Sequence, residues 1–247
     1  MASYVLVHGG GHGGWCWSRV AALLRAAGHD VYTPTLTGLG ERSHLVSPGI
    51  NLDTHIADVV GVLKFEDLTN AILVGHSYGG MVITGAADRA LSRVGHLVFL
   101  DASHPRDGES LASESPALME FARKSSRVVD GVELALWPSA EIVDIMGVVS
   151  PEDVAWLSGK LTPHPWKCFE QPLRLANEPA LRRIPFTNIN ASWSLKVRPP
   201  ESARRALEGD RVWEIDTGHD LMITEPKAVA EMLLRVAALV SNPDDAP

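Results

Sequence analysis

Residues 71–80 read Ala71-Ile72-Leu73-Val74-Gly75-His76-Ser77-Tyr78-Gly79-Gly80. An apolar run of the buried-strand type, 71–74, leads straight into a glycine-flanked serine. A helical pattern begins at about Tyr78 and continues to Leu91. When a strand turns at once into a helix, the residue at the tip is pushed out of the sheet in strained backbone. The helix N-terminus then sets unpaired N–H groups and the positive end of the helix dipole beside it. A serine at that tip is placed to attack an electrophilic carbon, and G-x-S-x-G is the pattern such a turn requires. The competing reading is a glycine-rich turn with an idle serine. A strand before it and a helix after it favour the nucleophile.

Working outward, the chain alternates strands and helices. Residues 4–7 read as a strand that ends in a glycine-rich loop. Residues 17–27 read as a helix, with Val20, Leu23 and Leu24 at helical spacing and Gly28 as its stop. A short strand at 31–33 follows, then a helix capped by Asn51 or Asp53 that runs to about Lys64. After the serine turn come a strand at 96–100 and, much later, strand 186–190, helix 200–208 and strand 212–215. A last helix runs from Pro226 to about Val240, and the tail 241–247 is expected to fray. The alternation predicts an α/β fold, a mainly parallel sheet with helices on both faces. Residues 105–185 interrupt it. They are rich in proline and tryptophan, show no clear strand and are too long for a plain loop. We expect a helical cap over the carboxyl ends of the strands, where α/β folds bind ligands. The expected organisation is a core of 1–104 and 186–247 with 105–185 inserted.

Two further segments carry chemistry. His8-Gly9-Gly10-Gly11-His12-Gly13-Gly14 follows the first strand. Acyl transfer needs two N–H donors aimed at the tetrahedral oxygen. Tyr78, after the serine, supplies one, and this loop the other. As a phosphate loop it fails, having neither G-x-G-x-x-G with a later acid nor GK[ST]. Thr217-Gly218-His219-Asp220 follows the last core strand, where a loop can carry a base back to the serine. Of the ten histidines, His29, His44, His55, His96 and His164 have no motif context and read as surface or structural. His76 is expected to point away if Ser77 is exposed, and His8 and His12 to support the glycine loop.

The bulk numbers narrow the function. A net charge of −8 over 247 residues offers nucleic acid no footing and does not favour an anionic membrane. Hydrophobic residues are 45% and charged residues 21%, as in ordinary globular chains. No apolar run approaches the ~20 residues of a membrane span, and the start does not read as a signal peptide. Cys16 and Cys168 form neither a disulfide framework nor a metal-ligand spacing. We therefore expect a cytoplasmic protein, monomer or homodimer, with a small-molecule substrate and no metal or cofactor.

With these motifs in hand, the whole chain resembles the α/β-hydrolase superfamily. It is most similar to the bacterial esterase-like relatives of plant methylesterases and hydroxynitrile lyases. The segments VHGGGHGGWCW, GHSYGG, LDASHPRDGES, LTPHPWKCFEQPL and GHDLMITEP fit in that order. The resemblance implies the α/β-hydrolase fold, Ser77 and His219 as catalytic residues, and the N–H groups of Gly10 and Tyr78 as oxyanion hole. It also implies an acid in the turn after strand 186–190. That turn reads Ala191-Ser192-Trp193-Ser194-Leu195-Lys196 and holds none. Asp101, at the end of the neighbouring strand, is the substitute, because some superfamily members carry their acid there. The alternatives are a structural Asp101 or a dyad helped by Ser192, Ser194 or water; Asp216 and Asp220 lie too close in sequence to His219 to be preferred.

The expected reaction is hydrolysis of a small carboxylic ester, thioester or lactone through an acyl-enzyme. The lyases carry threonine where this chain has Gly9 and lysine where it has Asp220, and both differences favour hydrolysis. A non-hydrolytic cyclase, lyase or binding protein is the alternative that the empty acid turn suggests. His12, Trp137, Trp156 and Trp166, with Phe121 beside them, are the expected substrate contacts, weighed against a role as the cap's own core.

Overall fold

The computed structural model describes residues 1–136 and 146–241. Trp137 and the expected frayed end, 242–247, lie outside them. The first half runs β1 (Ser3–Val7), α1 (Ser18–Ala26), β2 (Asp30–Tyr32), α2 (Leu52–Phe65), β3 (Ala71–His76), α3 (Gly79–Arg89) and β4 (Val94–Leu100). The interrupting stretch holds α4 (Leu111–Glu114), α5 (Pro116–Arg123), β5 (Arg127–Val129), β6 (Val132–Ala135), α6 (Pro151–Ser158), β7 (His164–Pro165), α7 (Lys167–Glu170) and α8 (Glu178–Leu181). The chain closes with β8 (Phe186–Ala191), α9 (Ser192–Val197), α10 (Pro200–Ala206), β9 (Arg211–Ile215), α11 (Leu221–Thr224) and α12 (Pro226–Ser241).

The central sheet has six strands in the order β2-β1-β3-β4-β8-β9, every pair parallel. Side chains alternate across it, as a two-residue repeat demands. Val5, Val7, Leu73, Leu97 and Phe99 face α2 and α3 through Ile56, Val59, Met81 and Val82. Tyr4, Leu6, Ile72, Val74, Val98 and Leu100 face α1 and α12 through Val20, Leu24, Leu233 and Val236. Burial on both faces is why these strands read as unbroken apolar runs. Asn51, not Asp53, caps α2. It accepts from Thr54 N while the Thr54 hydroxyl binds its own N–H, a reciprocal capping box.

The expectation that 105–185 lacks strands is corrected. Its described residues include a small antiparallel sheet, β5-β6-β7, separate from the central one. The signal was there: Asp130 and Gly131 both take positive φ, 49° and 78°. An Asp-Gly pair between β-branched residues is a tight-hairpin sequence. The helices of this stretch are short, and Pro stands in the first turn of α5, α6 and α8.

Candidate active site

Ser77 sits between β3 and α3 with φ 54°, a left-handed conformation that costs a non-glycine residue energy unless its surroundings impose it. The imposition is visible at the neighbours. A Cβ on Gly75 would lie 2.6 Å from the Gly79 carbonyl oxygen, and one on Gly79 2.7 Å from that of Val7. Ser103 N donates to Ser77 O at 3.0 Å. The strained turn is therefore wedged between β1 and the chain leaving β4.

His219 lies on the loop between β9 and α11 and is 23% exposed. Its Nδ1 bonds Asp101 Oδ2 at 2.5 Å. Asp101 follows β4 directly, also at positive φ, 45°, and is fully enclosed. Its Oδ2 accepts from Ser194 Oγ at 2.5 Å, and its Oδ1 from Arg198 Nη2 at 2.8 Å and Ala191 N at 3.3 Å. Burial pushes the Asp101 carboxyl up. The hydrogen bond and charge of His219, with Arg198 and Ser194, outweigh burial and hold it well below the usual carboxylate range. Ser194, in the turn without an acid, and Arg198, just after it, thus hold the acid that follows the neighbouring strand β4.

Ser77 and His219 line two adjoining cavities. One, of about 80 Å³, is walled by Gly10, His12, His76, Tyr78 and apolar side chains that include Leu118, Met119, Phe121 and Phe169. The other, of about 300 Å³, opens on the Asp101 side past Ser103, Glu114, Trp193 and Arg198. Neither Gly10 N nor Tyr78 N has an acceptor among the described residues, and both residues line the first cavity. Ser77 Oγ and His219 Nε2 make no hydrogen bond there either. Such contacts commonly tighten only once substrate is bound.

The aromatic expectations fare differently. Trp156 stacks edge-on to Trp15 and lies under Arg19 and Lys160. Trp166, 2% exposed, packs on Phe169 and Arg123. Neither lines either cavity, so both are corrected to packing residues. The aromatic side chains that do line them are Tyr78, Phe121 and Phe169 in the first cavity and Trp193 in the second. His12 does line the small cavity, but both its ring nitrogens are engaged inside the protein, with Gly10 O at 2.9 Å and Asp220 Oδ2 at 3.1 Å.

Sequence reasoning missed other neighbours. His76 turns its ring under His219, centroids 4.7 Å apart, and donates from Nε2 to His219 O at 2.9 Å. Burial, then the nearby His219, pushes it down to about 3, so it is neutral. His164, read as having no motif context, accepts from Gly11 N at 3.2 Å. With His55 and Cys168 it forms a buried cluster whose ligand atoms lie within 4.8 Å of one another. His164 Nδ1 is occupied by that N–H, so its proton sits on Nε2. Burial pushes the Cys168 thiol up to about 12. The cluster therefore fits a brace beneath the glycine loop better than a metal site, which needs deprotonated ligands.

The chain belongs to the alpha/beta hydrolase family, whose model matches residues 4–232. It is similar to a carbendazim hydrolyzing esterase of Nocardioides sp. (strain SG-4G), 37% identical over 245 residues, which cover 94% of this chain and 98% of that one. A putative chloroplastic methylesterase 11 of Arabidopsis thaliana is 26% identical over 96% of this chain and 64% of its own length. Among solved structures, an extracellular alpha/beta-hydrolase from a Paenibacillus species superposes with a TM-score of 0.77. It is 25% identical and is described as sharing structural and functional homology with tobacco salicylic acid binding protein 2. The match covers 95% of this chain and 98% of that one. These comparisons support a carboxylic ester hydrolase. Among the described residues no helix is long and apolar enough to cross a membrane.

Proposed function

We propose that the protein hydrolyses small carboxylic esters through an acyl-enzyme on Ser77, with His219 as general base and Asp101 as the triad acid. The observation that carries this is the 2.5 Å contact of His219 Nδ1 with Asp101, at a histidine that shares both cavities with a serine in a strained turn. Asp101 keeps the proton on Nδ1, so Nε2 is free to take the Ser77 proton as Oγ attacks the ester carbon. The carbonyl oxygen gains negative charge and is met by the N–H groups of Gly10 and Tyr78. Collapse of the adduct breaks the carbon–oxygen bond to the leaving alcohol, which takes its proton from His219. Water, deprotonated by the same nitrogen, then adds to the acyl carbon; the bond to Ser77 Oγ breaks, Oγ takes the proton back from His219, and the acid leaves. The empty acid turn suggests a non-hydrolytic reading, and the Asp101 carboxylate on His219 weighs against it.

The described residues of 105–185 act as the cap in this reading, since Leu118, Met119, Phe121 and Phe169 wall the small cavity. The two buried free thiols support a reducing compartment such as the cytoplasm. The partner is a small ester, and the chain works as monomer or homodimer. A fluorophosphonate probe tests the core of this. Peptide mapping should find the label on Ser77, and a panel of p-nitrophenyl esters should be turned over by wild type and not by Ser77→Ala. A folded protein that neither labels nor hydrolyses any ester sinks the reading.

A further inference from the structure

The loop that offers Gly10 N–H is pinned peptide by peptide. In the Gly9–Gly10 peptide, the carbonyl bonds His8 Nδ1 at 2.9 Å, while Leu36 N donates to His8 Nε2 at 3.0 Å. The proton is therefore on His8 Nδ1, and the other end of that peptide, Gly10 N–H, is left for the cavity. In the Gly10–Gly11 peptide, N–H donates to His164 and the carbonyl bonds His12 Nδ1. His8 and His164 are neutral braces. His12 differs, because both its partners can only accept. Gly10 O requires a proton on Nδ1, and the Asp220 carboxylate is met by one on Nε2.

His12 is 2% exposed and Asp220 fully buried, so neither charge is shared with solvent. The other groups facing the imidazole are Trp15, stacked at 5.5 Å, and the neutral His76, edge-on at 6.0 Å. Asp220 Oδ1 lies 3.7 Å from His76 Nε2 and has no hydrogen-bond partner among the described residues. Asp220 is the residue after His219 and is anchored by its own N–H to Met146 O at 2.9 Å. The contact therefore joins the oxyanion loop after β1 to the base loop after β9. These arms are separated by 208 residues.

We propose that His12, as an imidazolium, and Asp220 form a buried ionic clamp that fixes the Gly10 N–H donor in register with His219, making both positioning residues for ester hydrolysis. This rests on the reading of Ser77, His219 and Gly10 given above. Burial alone would neutralise His12, but the adjoining carboxylate reverses that and raises its pKa; burial likewise works against the Asp220 charge, and His12 holds its pKa down. A buried pair is weak as a source of stability and well suited to fixing geometry.

The clamp predicts separable effects. His12→Gln keeps a donor for Gly10 O but strands the Asp220 charge, so it should lower Tm and cut kcat by about 10²-fold, the usual loss for one oxyanion donor. KM should hold. The affinity of a trifluoromethyl ketone, which forms the tetrahedral adduct, should fall in step with kcat/KM. The double variant His12→Leu/Asp220→Leu removes both charges and should regain most of the Tm, as replaced buried pairs do, without regaining kcat. A double variant that recovers both, or a folded His12→Gln with wild-type kcat, overturns the clamp while leaving the esterase reading intact. Nitrogen NMR of the imidazole rings supplies a test that needs no activity. At pH 7.5 His12 should show two protonated nitrogens in wild type and one in Asp220→Asn. A neutral His12 in the folded wild type refutes the proposal, whatever the enzyme hydrolyses.

Discussion

His219 bonds Asp101 through Nδ1 and has no partner for Nε2 among the described residues, whereas His12 spends Nδ1 on Gly10 O and Nε2 on Asp220. The two pairs flank Ser77 and use the same residue types. They differ in what is left over. His219 is 23% exposed and leaves one nitrogen without a partner among the described residues; His12 is 2% exposed and leaves neither. The carboxylates differ as well. Asp101 is shared among His219, Ser194, Arg198 and Ala191 N, while among the described residues the ion-pair contacts of Asp220 are both with histidines, His12 and His76. A histidine–aspartate contact is thus no sign of a catalytic base by itself. A base also needs an unspent nitrogen facing the nucleophile.

The largest effect should separate the two aspartates. Asp101→Asn is expected to cut kcat by about 10⁴-fold, because an amide can hold the wrong imidazole tautomer. Asp220→Asn should cost far less in kcat. Single-turnover assays with a p-nitrophenyl ester would decide it, run where circular dichroism shows both variants folded. Equal losses would erase the distinction drawn here. Ser194→Ala comes next. It removes one hydrogen bond to a charged carboxylate, about 1.5–3 kcal/mol, while Arg198 stays. Denaturant unfolding should register that loss, and kcat should fall by much less than in Asp101→Asn.

Stability against pH should sharpen the contrast between His12 and the other buried histidines. Burial pushes His55 and His96 down to about 4 and His76 to about 3. Below about pH 6.5 the unfolded chain therefore binds protons that the folded one refuses. Each such group takes away up to about 1.4 kcal/mol per pH unit between there and its folded value. His12 has the opposite sign: its pKa is raised, so its contribution is complete below about pH 6.5 and is lost as pH rises through the folded value. Urea unfolding from pH 8 to 4.5 should show a steep acid loss that is shallower in His96→Gln. A flat profile would mean these rings are already charged in the fold. The smallest effect concerns the tryptophans. Trp156→Leu should lower Tm and leave kcat/KM unchanged, because Trp156 packs on Trp15 away from both cavities. Phe121→Ala, at the cavity wall, should change the ranking of acyl chain lengths in an ester panel.

Much of the site was legible because its requirements are local. The strand–serine–helix turn needs glycine on either side, and the glycine loop must follow a strand. Both constraints act within a few residues, so they leave a pattern in the chain. Strand positions were read closely because burial on both faces writes an apolar run. The Asp-Gly hairpin at Asp130 and Gly131 was equally local and was passed over, since proline and tryptophan dominated the reading of 105–185.

The sequence by itself determined the parallel α/β architecture, the strand–turn–helix that carries Ser77, the loop bearing Gly10 and the position of His219 after the last strand. Each depends on contacts between near neighbours in the chain. Only the tertiary structure decided what acts on those residues from afar. Asp101 reaches His219 across 118 positions, and Ser194 and Arg198 reach Asp101 across 93 and 97. His12 and Asp220 meet across 208. Trp156 and Trp166 carry the same aromatic composition as a substrate wall, yet they point into packing. Charge pairing and cavity lining are set by the directions side chains take once β1, β4, β8 and β9 lie side by side. No spacing in the chain encodes those directions.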